Sequence, residues 1–174
     1  MSAVPAARLY SFPPVARADA RLLILGSMPG GASLAAGQYY AHPQNQFWPI
    51  MEQLCGARRS LSYPARLRRL QQRRVALWDV LQSCVRSGSL DAAIDHGSAV
   101  PNDLPQLLRE HPRIERLCCN GTTAYRTVQR FFGAQLQREF PQLQCLRLPS
   151  TSPAHAGMRL ADKLLAWEAA LKGA

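Results

Sequence analysis

The sequence predicts one α/β domain built on a mostly parallel four-stranded sheet with helices on both faces. Three observations carry this. Four short apolar runs have the length of strands and the near-continuous hydrophobicity of strands buried on both faces. Stretches of helical length alternate with them. With 174 residues, 47% hydrophobic and 18% charged, the chain can build one sizeable core but not two.

In chain order, residues 1–20 read as an extended, proline-punctuated arm, and 21–174 as the domain. Residues 21–26 form the first strand, ending in Gly26, and a polar, glycine-rich loop follows to about Gln46. Helices are expected over 47–56 and 63–73, separated by Gly56 and Pro64, then a second strand over 75–80. A helix near 102–110 takes Asn102 as its N-cap. The third strand covers 114–119, and Asn120-Gly121 turns into a helix through Phe132. The fourth strand is 143–148, followed by a polar loop and a helix from about Met158 to Lys172.

Twenty-one Lys and Arg against eleven Asp and Glu give a net charge of +10 and a pI near 10.1. Such a domain is suited to a polyanion rather than a neutral metabolite. Nineteen of the basic residues are Arg, the side chain that grips phosphate bidentately. Seven of them fall between 58 and 74, where no acid occurs. The ordinary hydrophobic fraction excludes whole-chain disorder. No apolar stretch approaches the ~18 residues of a membrane span, and residues 1–20 lack the apolar run of a secretory signal. Cys55, Cys84, Cys118, Cys119 and Cys145 form no CxxC pair. They read as reduced core thiols in a cytoplasmic monomer, with no metal or iron–sulfur cluster and no cofactor.

In open parallel sheets ligands bind beyond the carboxyl ends of the strands, which directs attention to four segments. The first loop holds Gly26, Ser27, Met28, Gly30 and Gly31, then Tyr39, Tyr40, His42 and Asn45. It matches neither GxGxxG nor a P-loop, but aromatic faces beside amide groups suit a planar heterocycle. Asp79 closes the second strand and Asn120 the third. The last loop, with Ser150, Thr151, Ser152 and His155 and then Arg159, offers small hydroxyls and backbone N–H groups before a helix, a pattern suited to phosphate.

The segments Gly-Ser-Met-Pro-Gly (26–30), Tyr-Tyr-Ala-His-Pro-Gln-Asn-Gln-Phe-Trp-Pro (39–49) and Leu-Pro-Ser-Thr-Ser-Pro-Ala-His-Ala (148–156) resemble the uracil-DNA glycosylase superfamily. Within it, they are most similar to the hypoxanthine-DNA (deoxyinosine) glycosylase branch. The resemblance implies a three-layer α/β/α sandwich and a monofunctional DNA glycosylase acting on a deaminated base, hypoxanthine or uracil. It makes Asn45 the catalytic residue. Gly26, Ser27, Met28, Tyr40 and Asp79 become base-binding, and Ser150, Thr151, Ser152, His155 and Arg159 DNA-binding. Met28 stands where most relatives carry an Asp or Asn that positions water, and a thioether can neither activate nor orient one. Ala154 occupies a place often held by a wedge Leu, leaving His155, Met158 or Arg159 to fill the emptied duplex position.

A glycosylase breaks the C1′–N bond through an oxocarbenium-like state after extracting the nucleotide. Asn45 has no basic nitrogen, so it would act by orienting water and base. Asp79 would accept from N1–H of hypoxanthine or N3–H of uracil. A site without a general base forgoes about 10²–10⁴-fold in rate. A catalytically silent DNA-binding module is the competing expectation. A Schiff-base lyase is disfavoured, because Lys163 and Lys172, the only lysines, both fall in the last helix.

Overall fold

The computed structural model describes residues 6–174; residues 1–5 of the expected arm lie outside the described residues. Four strands, β2 (Leu22–Gly26), β3 (Val75–Asp79), β6 (Arg116–Asn120) and β7 (Gln144–Leu148), form a parallel sheet in the order β3-β2-β6-β7. Central β2 is paired on both sides, with Gly26 opposite Asp79 and Leu25 opposite Cys119. All four strands point the same way, so Gly26, Asp79, Asn120 and Leu148 end along one edge.

Side-chain alternation along β2 divides the core. Leu23 and Leu25 face α4 (Leu104–Glu110) and α5 (Thr122–Glu139), packing with Leu107, Val128 and Phe132. Leu22 and Ile24 face α2 (Phe47–Cys55), α3 (Tyr63–Gln72) and α6 (Leu160–Leu171), packing with Phe47, Leu70 and Trp167. The result is a three-layer α/β/α sandwich, as the sequence led us to expect.

Four features differ from the sequence reading. Residues 81–101, left without structure, form β4 (Leu81–Arg86) and β5 (Ile94–Pro101), which with β1 (Arg8–Tyr10) make an antiparallel sheet in the order β1-β4-β5. Residues 6–20 of the arm are therefore joined to the fold: β1 pairs with β4, and Val15 bridges Leu77. Asn102 is not the cap of α4; Asp103 is, accepting from the Gln106 N–H at 3.0 Å, while Asn102 is buried and donates to the Asp79 carbonyl at 2.8 Å. Helix α5 continues past Phe132 to Glu139 because Leu136, one turn on, extends its buried stripe. A short helix, α1 (Gly31–Ala36), lies inside the first loop, ended by Gly37 at φ 64°.

Candidate active site

A cleft of about 500 Å³ opens over the carboxyl ends of the parallel strands. That is within the range of small-ligand sites. Its floor is the end of β2. A Cβ on Gly26 would fall 3.2 Å from the Tyr40 hydroxyl and collide with Asp79 Oδ1, so only glycine leaves both groups at the floor.

Tyr40 sits at φ 55°, a left-handed conformation uncommon for a bulky residue and of the kind held at functional sites. Its ring stacks on Phe47 at 3.9 Å and 20°, which holds it there and occupies one face. The hydroxyl is buried without a partner. Tyr39 belongs to the core, its hydroxyl donating to the Pro13 carbonyl at 2.9 Å. Asn45 borders the cleft just before α2 and accepts from the Phe47 N–H through Oδ1 at 2.9 Å. With the oxygen engaged, its NH₂ end is the one presented to a ligand. The Met28 side chain packs with Leu81, Cys84 and Ile94 under the antiparallel sheet, so motif 26–30 serves the cleft through backbone groups and Ser27.

Asp79 is 3% exposed, and its Oδ2 has no partner. Burial, aided by nearby Asp91 and opposed by Arg86, pushes its carboxyl up to about 7. An unfolded aspartate ionises near 4, so between about pH 4 and 7 the folded chain binds this proton more tightly than the unfolded one. The contribution of Asp79 to stability therefore declines as pH rises through that window. Melting curves of wild type and Asp79→Asn from pH 4 to 8 check this: the variant should lose less stability across the range, and parallel curves would contradict it.

The second wall is the loop after β7. Thr151 is fully buried: its N–H donates to Asn120 Oδ1 at 3.0 Å, its Oγ1 accepts from Asn120 Nδ2 at 2.9 Å, and its carbonyl accepts from the Gln46 N–H. Thr151 thus clasps the loop to β6 and α2, and the expected contact to DNA backbone has no exposed atom to make it. Ser150 and Ser152 are half-buried at the rim, and His155 is exposed. Helix α6 straps this loop from behind, with Lys163 Nζ donating to the His155 carbonyl at 2.8 Å and Trp167 Nε1 to the Pro149 carbonyl at 3.0 Å. Arg159 does not line the cleft; it is exposed at the start of α6 and paired with Asp162.

The third wall was not legible in the sequence. Ser89, Leu90, Asp91 and Ala92, from the tip between β4 and β5, face the 26–33 loop. Ser27 Oγ donates to Asp91 Oδ1 at 2.6 Å, the Gly31 N–H to Ser89 Oγ at 3.0 Å, and buried Arg86 to the Pro29 carbonyl at 2.7 Å. The N-terminus of α5, at Thr122 and Thr123, adds its positive dipole end. Of the basic segment, Arg66 stacks over Trp48 at 4.3 Å and Arg59 pairs with Glu52. Arg58, Arg68 and Arg69 are exposed, with no side-chain partner among the described residues.

A sequence profile of the Uracil DNA glycosylase superfamily matches residues 13–171. The chain belongs to that superfamily. A protein named hypoxanthine DNA glycosylase from Methanosarcina acetivorans is 35% identical over 114 residues, covering 65% of this chain and 71% of its own length. One of the same name from Methanosarcina barkeri is 40% identical over 125 residues, covering 70% and 78%. A solution structure of a putative uracil DNA glycosylase from Methanosarcina acetivorans matches with a TM-score of 0.76 at 29% identity, covering 95% of this chain and 97% of that one. The superfamily's fold is therefore present nearly end to end.

Proposed function

We propose that this chain is a monofunctional DNA glycosylase that hydrolyses the N-glycosidic bond of a deaminated base, hypoxanthine or uracil, flipped out of DNA. The observation that carries the reading is the cleft at the strand ends. There, a stacked Tyr40, the amide of Asn45 and the buried carboxyl of Asp79 meet around the only residue type that fits at position 26. Names borne by the Methanosarcina relatives point to the same chemistry.

In this reading the base enters the cleft, and Asn45 Nδ2 donates to a water or to a base oxygen. Asp79 accepts from the base N–H when ionised and presents its own O–H when neutral. Ser150, Ser152 and the start of α5 grip the flanking backbone, and the free arginines of 58–69 draw the duplex in. In this reading one of the exposed side chains His155, Met158 and Arg159 enters the vacated stack. We read the protein as a cytoplasmic monomer whose five cysteines are free thiols.

One observation favours a second reading. With Met28 turned into an apolar cluster and the Ser27 hydroxyl donating to Asp91, the first motif offers water no carboxylate or amide, as expected of a silent DNA-binding module. Single-turnover incubation with oligonucleotides carrying one deoxyinosine or one deoxyuridine separates the two. Release of free base, hypoxanthine foremost, is expected. Tight, salt-sensitive binding with no release from either would leave only the binding module.

A further inference from the structure

The first motif lacks a carboxylate, yet the cleft does not. We infer that Asp91, carried in by the tip between β4 and β5 and held by Ser27, is the general base of this site; the inference rests on the glycosylase reading above. Asp91 lines the cleft beside the 26–31 backbone. Its Oδ1 is fixed by the Ser27 hydroxyl at 2.6 Å, and its Oδ2 has no partner among the described residues. Arg86 anchors the same tip to motif 26–30 through the Pro29 and Gly88 carbonyls, which fixes where the carboxylate stands. Asp79, with a buried oxygen left unpartnered, lies across the same cleft.

The charged and titratable neighbours divide the two acids. Burial raises both and Arg86 opposes the rise at both, but at Asp91 the Ser27 hydroxyl and His96 oppose it too, whereas at Asp79 the charge of Asp91 adds to it. Tyr40 and Cys84 also face Asp91, and both stay neutral because burial raises them. Acid pairs whose environments separate them supply the two halves of acid–base chemistry. Asp91, whose free oxygen faces the cleft wall beside the 26–31 backbone, is assigned the base half. In the step, water attacks C1′ as the C1′–N bond breaks, and the bond's electron pair leaves with the base. One water proton passes to Asp91 Oδ2 and the oxygen stays on the sugar. The departing base anion takes a proton from solvent, and Asp91 returns its own.

The test is single-turnover release of hypoxanthine between pH 5 and 9 by wild type, Asp91→Asn and Asp91→Glu. Asn preserves the Ser27 contact and removes only the charge. The expected result is a loss of about 10²-fold at pH 8, with the acid limb of the wild-type profile gone, affinity for the same duplex within threefold and partial recovery in Asp91→Glu. The limb should survive in Asp79→Asn. Ser27→Ala gives a second arm should Asp91→Asn fail to fold: without the hydroxyl donor the limb should move to higher pH. An Asp91→Asn rate within threefold of wild type, an acid limb that persists in it, or a limb unmoved in Ser27→Ala would each overturn the assignment. Absence of release by wild type would instead remove the glycosylase reading, and this one with it.

Discussion

Asn45→Ala is expected to lower single-turnover base release by about 10²–10³-fold, the range seen when one oriented polar donor is removed from a reacting centre. Affinity for the duplex should stay within a few-fold, because the arginines and the loop after β7 are untouched. The argument lies in how the amide is held. Its Oδ1 accepts from the Phe47 N–H at 2.9 Å, which sets the side-chain torsion and leaves the NH₂ as the end free for a ligand. The same bond satisfies a donor at the start of α2, so alanine also forfeits about 1 kcal/mol of stability. Asn45→Ser separates the two roles, since a hydroxyl can still accept from Phe47 but offers no amide. It should melt near wild type and still be slow. A rate within threefold of wild type in Asn45→Ala would remove Asn45 from the chemistry.

The second large effect is on the fold. Phe47 is fully buried. It stacks on Tyr40 at 3.9 Å and meets Trp48 and Trp167 edge-on at 4.9 and 6.3 Å. Phe47→Ala should cost about 3–5 kcal/mol, a large share of the roughly 5–15 kcal/mol that holds a domain together. In calorimetry this corresponds to a fall in Tm of about 10 °C for a chain of this size. Base release at a temperature where the variant remains folded should fall further than stability alone explains, because Tyr40 loses the ring that holds it at positive φ. A loss below about 1 kcal/mol would show that the α2 side of the core collapses around the gap.

The parallel sheet was legible chiefly because β2 and β3 are buried along their whole length and so read as near-continuous apolar runs, as Leu22 to Leu25 does; edge strand β7, with Gln144 and Arg147 exposed, gives a weaker signal. The antiparallel sheet was not. Residues 81–101 alternate poorly, and the pairing of β4 with β5 shifts register between Leu81 and Ser83 and again between Ser83 and Val85, which erases the period-two signal. Asp91 therefore sat in an unstructured-looking stretch, and no motif tied it to Ser27, 64 residues earlier. Asn102 and Asp103 are both good caps, and only the burial of Asn102 against Asp79 decides between them. Thr151 reads as a polar loop residue, and its enclosure by Asn120 and Gln46 depends on strand order. Motif residues near a strand end could be found from sequence; partners delivered from another sheet could not.

The strap from α6 also has a practical side. Lys163 is 1% exposed and committed to the His155 carbonyl, so of the two lysines only Lys172 is open to an acylating reagent. Lys172 follows the last turn of α6, a helix of 12 residues and so about 18 Å long, whose opposite end abuts the loop that borders the cleft. A fluorophore attached there would tumble with the protein and report capture of a duplex by anisotropy, without standing in its path.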